Sequence, residues 1–421
     1  MTRVPRFSFV GIVLVLAALA CGAPSAETPP ASPVPPTTEA PPSPTLGLPA
    51  EATPTDAPAP TAPTSGVIAH FAPGTPVTIT AIRMLDASIG WALGGTEGRS
   101  DHVLRTQDGG LTWSDVTPLE PVGEPRSASA IFLDALNAWA VYGLESGMPA
   151  ADVFVWRTGN AGFSWAASRR LEPAGEQFYP MFWTSADLRH GWLMVGAGAG
   201  MSHQYVILFR SEDGGGIWSR ILDPYTDGGI QSLGKTGMAF FDTLNGWLTR
   251  DNLGVQEGAF YDRTIDGGTT WETVMLPPPA DRPDLFQMAQ CATHSARLVS
   301  PQSGSLAVEC RTYSTDPPGQ AAYLYRTTND GANWSIQPYP GGEVLFLNDS
   351  LGFALDRDIY RTIDGGANWT LVKTVNWDGQ FSFVDDQQGW AVATNEEGTS
   401  FVHTTNGAAT WQLIEPVIAG E

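Results

Sequence analysis

The chain has 421 residues and carries 22 basic against 44 acidic side chains, a formal net charge of −22. An acidic balance of that size repels phosphate backbones, so nucleic acid is excluded as an expected partner. The length admits several small domains or one large repeat architecture.

The N-terminus reads as an export signal. Arg3 and Arg6 form a basic start, and Phe7 to Ala20 is a run of 14 uncharged residues. A permanent membrane span needs roughly 20 apolar residues, so this run is short for one. It ends in Ala18-Leu19-Ala20-Cys21, which resembles the lipobox of bacterial lipoproteins, with Ala18 where the commonest version has Leu. The resemblance implies cleavage after residue 20 and acylation of Cys21; the alternative is an ordinary cleaved signal with an incidental cysteine. Residues 22–65 then hold 14 prolines in 44 positions and no aromatic, Lys or Arg. Such a segment cannot bury a core and is expected to stay extended, as a tether. The predicted organisation is a signal over 1–20, a disordered linker over 21–65 and one folded domain over 66–421.

One pattern organises that domain. An eight-residue segment such as Thr106-Gln-Asp-Gly-Gly-Leu-Thr-Trp113 occurs seven times. Its Asp or Asn stands at Asp108, Asn160, Asp213, Asp266, Asn329, Asp364 and Asn406. Its Trp, five positions later, stands at Trp113, Trp165, Trp218, Trp271, Trp334, Trp369 and Trp411. An Asx side chain accepts hydrogen bonds from its own turn. Glycines permit the positive φ of the reversal, and the aromatic ring plugs the hairpin. A second pattern precedes each copy: Asp or Asn, three residues, then Gly-Trp or a variant, as in Asp86…Gly90-Trp91 and Asp242…Gly246-Trp247. The fifth copy departs from it, with Gly304-Ser305. Short apolar runs flank both patterns and read as strands. Each repeat therefore supplies four strands, and the predicted fold is all-β, a seven-bladed β-propeller of four-stranded blades.

These residues resemble the Asp-box, or BNR, superfamily. The alternation of the two patterns looks most like the photosystem II assembly/stability factor family, over residues 77–414. That resemblance implies architecture; the shared residues are scaffold ones and carry over no partner. Sialidases also contain Asp-boxes, but their Phe/Tyr-Arg-Ile-Pro signature is absent. An arginine precedes nearly every Asp-box, at Arg105, Arg157, Arg210, Arg263, Arg326 and Arg361, with His403 in the last copy. Repetition argues for a structural duty, because a catalytic residue is needed once. No catalytic residue, metal site or cofactor is predicted.

Function is expected on the face opposite the Asp-boxes, where loops vary in length on a rigid frame. The candidate binding residues there are Asp223, Tyr225, Asp227, Arg250, Asp251, Arg282, Asp284, Tyr313 and Trp377. The favoured function is a non-catalytic binding or assembly platform, monomeric, with a protein or glycan ligand. It would sit on the extracytoplasmic side, held to a membrane by the lipid. The alternatives are an exo-acting, sialidase-like glycoside hydrolase and a glycan- or cell-wall-binding module. Finally, Cys291 and Cys310 are expected to oppose each other on neighbouring strands of the fifth repeat, within disulfide range. A bridge there is expected to substitute for the missing aromatic plug at Ser305.

Overall fold

The structure, a computed structural model, describes residues 68–119, 127–143, 153–172, 178–200, 203–224, 229–230, 234–252, 256–300, 302–312 and 319–420. All of them belong to one compact unit, Pro60–Glu421. The predicted signal, Cys21, the linker over 21–65, Tyr225, Asp227 and Tyr313 lie outside the described residues.

Antiparallel strands follow one another in groups of four. The first group is β1 (Thr78–Met84), β2 (Gly90–Gly95), β3 (His102–Thr106) and β4 (Thr112–Asp115). The second is β5 (Ser127–Phe132), β6 (Ala138–Gly143), β7 (Val155–Thr158) and β8 (Ala166–Ala167). The third is β9 (Tyr179–Ser185), β10 (Gly191–Gly200), β11 (His203–Ser211) and β12 (Ser219–Leu222). The fourth is β13 (Gly234–Phe240), β14 (Gly246–Asp251), β15 (Phe260–Thr264) and β16 (Glu272–Met275). A four-residue helix, α1 (Leu285–Met288), leads into the fifth: β17 (Gln290–Ser300), β18 (Ser303–Thr312), β19 (Gly319–Thr327) and β20 (Ser335–Pro338). The sixth is β21 (Glu343–Phe346), β22 (Gly352–Leu355), β23 (Asp358–Thr362) and β24 (Thr370–Thr374). The seventh is β25 (Asp378–Phe383), β26 (Gly389–Asn395), β27 (Gly398–Thr404) and β28 (Gln412–Ile414), after which comes β29 (Val417–Ile418).

First strands of successive groups lie against one another: β5 on β9, β9 on β13, β13 on β17, β17 on β21. The series returns on itself, since β25 packs on β1. Each sheet is therefore covered on both faces, which is why β2, β6 and β22 are buried at every position. Strands covered on both faces read as continuous apolar runs rather than alternations. The short β29 pairs in parallel with β4, Val417 opposite Thr112 and Ile418 opposite Trp113, so the chain's end is stitched to its first sheet. Trp390 Nε1 donates to Gly109 O at 2.8 Å across the same seam.

Two features depart from the sequence expectation. The helix α1 interrupts a chain expected to be all-β, and its Leu285 and Phe286 are buried in the fifth group's core. The fourth and fifth groups also share one eight-stranded sheet, because Asp251 at the end of β14 pairs with Ala292 of β17.

Cys291 and Cys310 are register partners joined by a disulfide, with Cα atoms 4.1 Å apart. The bridge does not take the place of the missing plug, and the period of two explains why. Cys310 and Ser305 are five positions apart on β18, so they face opposite sides of the sheet. Cys310 joins the cluster of Trp247 and Tyr261 on the fourth group's side. Ser305 faces Phe346 of the sixth group across a cavity.

Candidate functional site

The Asp-box turns show what the repeated chemistry does. In the first copy, Thr112 N donates to Asp108 Oδ1 at 3.0 Å and Thr112 Oγ1 to Asp108 Oδ2 at 2.7 Å. Thr106 Oγ1 donates to Asp108 Oδ1 at 2.9 Å and accepts from Gly110 N at 2.9 Å. The same net recurs around Asp266 and Asp364, and around Asn160, Asn329 and Asn406 with the amide oxygen accepting. The hydroxyl two residues before the Asx is thus a working part of the motif: Thr106, Thr158, Ser211, Thr264, Thr327, Thr362 and Thr404 are all buried. The tryptophans divide into two kinds. Those after Gly in the second strand are buried almost completely, as with Trp91, Trp192 and Trp390. Of the Asp-box tryptophans only Trp113 and Trp218 are; Trp165, Trp271, Trp334, Trp369 and Trp411 remain partly open.

The repeated arginines sit in the seams between groups. All but Arg326, whose partner is Ser305, are register partners of an aromatic residue, as Trp91 is of Arg105, Trp139 of Arg157 and Trp192 of Arg210. Arg105 and Arg210 lie over those rings at 5.8 and 5.9 Å, and His403 stacks on Trp390 at 4.5 Å. Others reach into the next group. Arg157 Nη1 donates to Gly214 O at 3.4 Å, and Arg361 Nη2 pairs with Asp386 at 3.0 Å. These contacts hold neighbouring sheets together, which accounts for the recurrence.

The opposite end of the strands is irregular, and there a buried polar network crosses the fourth and fifth groups. Arg250 is 5% exposed, and its Nη1 lies 3.3 Å from Asp262 Oδ1. Gln256 Oε1 and Thr273 Oγ1 also accept from its guanidinium, at 3.2 and 3.4 Å, and the Phe260 ring lies 4.9 Å beneath it. Its backbone N donates to Thr293 Oγ1 at 2.9 Å, and Thr293 Oγ1 donates on to Phe260 O at 2.7 Å. Lys235 is equally buried; its Nζ donates to Gln204 O at 2.7 Å and Ile230 O at 3.2 Å. Burial pulls the Lys235 ammonium down to about 8, with the Asp262 carboxylate opposing the shift and the Arg250 cation adding to it.

The predicted binding residues are therefore placed unequally. Arg250, expected in an exposed loop, is a correction: β14 runs on through it to pair with β17, so its side chain is enclosed. Asp223 is ion-paired to Arg220 at 2.7 Å. Arg282 and Asp284 lie on the turn into α1, where Asp284 is exposed and Arg282 half-buried. Tyr323 OH donates to Asp281 in the same turn at 3.1 Å. Trp377 packs edge-on against Trp411 and beside Phe381, so much of its ring completes the core of the seventh group.

Sequence reasoning did not single out the residues beside the disulfide. Glu309 Oε1 accepts from Tyr339 OH at 3.0 Å and from Gly342 N at 2.8 Å, and His294 Nε2 lies 4.0 Å from Glu309 Oε2. Glu309, Tyr339 and Gly342, with Arg311, Gln320 and Asp356, border a cavity of about 250 Å³. The available signal was Glu309 itself, a charge directly after the apolar run Leu306-Ala307-Val308. Among the described residues, no group of three or more His, Cys, Asp or Glu side chains is placed to hold a metal ion.

No family model matches the chain, and no curated protein does. Solved structures do. YCF48 bound to a D1 peptide is 16% identical with a TM-score of 0.50, covering 80% of this chain and 96% of its own. The polysaccharide lyase Uly1 is 12% identical with a TM-score of 0.51, covering 78% of this chain and 90% of its own. The fold is that of a YCF48-like β-propeller. YCF48 from Cyanidioschyzon merolae is 15% identical with a TM-score of 0.49, covering 79% and 97%. The groups of strands are the propeller's blades, β1-type strands being innermost and β4-type strands outermost.

Proposed function

We propose that this chain is a seven-bladed Asp-box propeller occupying residues 66–421, tethered by the proline-rich segment 21–65 to a lipid on Cys21, and that it serves as a non-catalytic binding or assembly platform outside the cytoplasm. The observation that carries the reading is the contrast in how charge is used. On the Asp-box face the repeated carboxylates and arginines are engaged in turns and seams. On the other face, Glu309 stands in β18 next to the disulfide, Asp356 on the turn across the same cavity, and Arg282 and Asp284 on the turn into α1. A rigid frame that displays unequal loops suits recognition of a protein segment. YCF48, of the same fold, is described as bound to a D1 peptide, which supports a polypeptide as the ligand class.

The test is capture from extracytoplasmic membranes with the 66–421 domain, read against Glu309→Gln and Arg282→Ala variants that melt like the parent. A partner held by the parent and lost from the variants supports the platform; partners held equally by all three overturn the placement of the site. The anchor is tested separately, since Cys21→Ala is expected to move the protein from the detergent phase to the aqueous phase.

A second reading, carbohydrate recognition, is favoured by the same cavity. Glu309 and Asp356 bring two carboxylates to its wall beside the Tyr339 ring, a mixture suited to sugar hydroxyls. Retention on polysaccharide with no release of reducing ends would select a glycan-binding module; release of them would select the hydrolase.

A further inference from the structure

In six blades the middle of the seam is filled in one way. An aromatic residue of the second strand stands between its two register partners and faces the next blade: Arg83–Trp91–Arg105, Ile131–Trp139–Arg157, Thr184–Trp192–Arg210, Ala239–Trp247–Arg263, Leu345–Phe353–Arg361 and Ser382–Trp390–His403. Several of these rings stack on the phenylalanine that ends the next blade's first strand. Trp91 lies on Phe132 at 5.5 Å, Trp192 on Phe240 at 3.8 Å and Phe353 on Phe383 at 4.2 Å.

Blade five breaks the pattern. Its triplet is Arg297–Ser305–Arg326, two cations flanking a hydroxyl. Among the described residues, Phe346 of blade six, which holds the position of Phe132, Phe240 and Phe383, has no ring stacked on it from blade five. The Arg326 guanidinium lies over it instead, at 4.3 Å. The vacated space is a cavity of about 340 Å³ lined by Arg297, Ser305, Arg326, Phe346 and Asp349. Arg297 Nη1 is buried with no hydrogen-bond partner. In the following seam Arg361 pairs with Asp386 at 3.0 Å. Arg326 has no such ion pair among the described residues, although Asp349 occupies the matching turn.

We propose that this cavity binds a ring-sized organic carboxylate, its ring filling the space left at Ser305 beside Phe346 and the guanidinium that covers it, and its carboxylate held between Arg297 and Arg326. The chemistry matches on both counts. The space is that of an aromatic side chain, and a guanidinium fork presents paired donors to a planar carboxylate. Two arginines against one aspartate leave the cavity with a net positive charge inside a strongly acidic protein. Burial and the neighbouring Arg326 cation both depress the Arg297 guanidinium, while Asp349 offsets part of that effect, so an anion arriving between the two cations relieves their repulsion. This inference is independent of which ligand the opposite face binds.

The probes are benzoate and D-glucuronate, which separate an aromatic body from a sugar one, with benzamide as the uncharged ring and sodium chloride as the ionic-strength control. Calorimetry or ligand-detected NMR on the 66–421 domain reads binding. Benzoate or glucuronate is expected to bind, with affinity about tenfold weaker in Arg297→Gln, the loss of one charge-assisted contact. Benzamide is expected to bind at least about tenfold more weakly than benzoate on the same ground. Ser305→Trp restores the residue that five other blades carry and should abolish binding. Should that variant not fold, Arg297→Gln decides alone. Absence of binding by both carboxylates at millimolar concentration, or affinities unchanged in Arg297→Gln, overturns the proposal.

Discussion

The two ends of the strands differ in kind. At the Asp-box end the same small net of hydroxyl, carboxylate or amide, and backbone amide is built again in each blade, within one turn. At the other end nothing repeats, and the polar groups of blades four and five are joined across strands distant in sequence, as when Thr293 links β14 to β15. A local net is cheap in chain entropy and tolerates exchange of Asp for Asn. The long-range network closes loops of tens of residues, and its parts are all needed at once. Substitutions should therefore act modestly and independently at the first end, and strongly and cooperatively at the second. The seam plugs between the two ends should cost at least as much as either.

The largest effect is expected from a plug. Trp192 is fully buried, stacked on Phe240, and its Nε1 donates to Gly267 O at 2.8 Å. Trp192→Ala should cost about 3–5 kcal/mol through cavity formation and the lost contact. Trp271→Ala should cost less, because that Asp-box ring remains partly exposed. Urea unfolding of both variants measures the difference, and equal midpoints would remove the distinction between the two tryptophan positions.

Next comes the network. Arg250→Ala takes the paired guanidinium away from the Asp262 carboxylate, which is 1% exposed. Stranding one member of a buried pair costs roughly 3–5 kcal/mol. The cooperative character is the sharper test: Arg250→Ala and Thr273→Ala, both on Asp262, should fall short of additivity in a double-mutant cycle. Strict additivity would make this end as modular as the other.

Much of this organisation was legible in the sequence, for a physical reason. The Asp-box and the Asp-x-x-x-Gly turn are satisfied within a few residues, so their spacing alone reveals the four-strand repeat. What depends on contacts between distant residues was not legible. Arg250 follows Trp247 by three positions and precedes Asn252 and Gly254, so it reads as the start of a loop; only the pairing of Asp251 with Ala292 shows the strand continuing. Val417 and Ile418 follow a proline and read as a tail, and their role appears only when β4 lies beside them. The buried hydroxyl of Thr264 and its counterparts was visible but uninformative, since threonine before a turn is also what strand propensity favours.

That hydroxyl supplies the next prediction. Thr264 Oγ1 accepts from Gly268 N at 2.9 Å and donates to Asp266 Oδ1 at 2.8 Å. Thr264→Val keeps the shape and removes both bonds, at an expected cost of about 1–2 kcal/mol. Paired with the same change at Thr106, the costs should add, since the two turns share no partner. Thermal melts of the single and double variants test it, and coupling between them would show that the Asp-box end is not a set of independent turns.

The smallest expected effect is a pH dependence that separates the Asp copies of the turn from the Asn copies. At Asp364, hydrogen bonds from the Asn368 side chain, the Asn368 backbone and the Thr362 hydroxyl lower the carboxyl from 3.8 to about 2. At Asp266, burial alone would raise the carboxyl, but the bonds from Thr270 and Thr264 together outweigh it and lower it. A carboxyl whose folded pKa lies below its unfolded one contributes stability that is present in full above the unfolded value. That contribution is lost as pH falls through the folded value, because the unfolded chain takes up the proton first. The window for Asp364 is therefore between 3.8 and about 2. Asn160, Asn329 and Asn406 accept the same backbone bond on an amide oxygen, while at Asn160 and Asn406 the amide nitrogen donates to the hydroxyl four residues on, and none of them has such a window. Asp364→Asn should thus leave the melting temperature near neutral pH almost unchanged, because Asn already serves in three copies of the turn. It should also reduce the steepness with which stability falls below pH 3.8, where the carboxylate would otherwise be protonated. Melts of parent and variant across the acid range provide the measurement. Parallel curves would mean that the turn holds its carboxylate no more tightly than the unfolded chain does, and that the hydrogen bonds at this end contribute shape without charge selectivity.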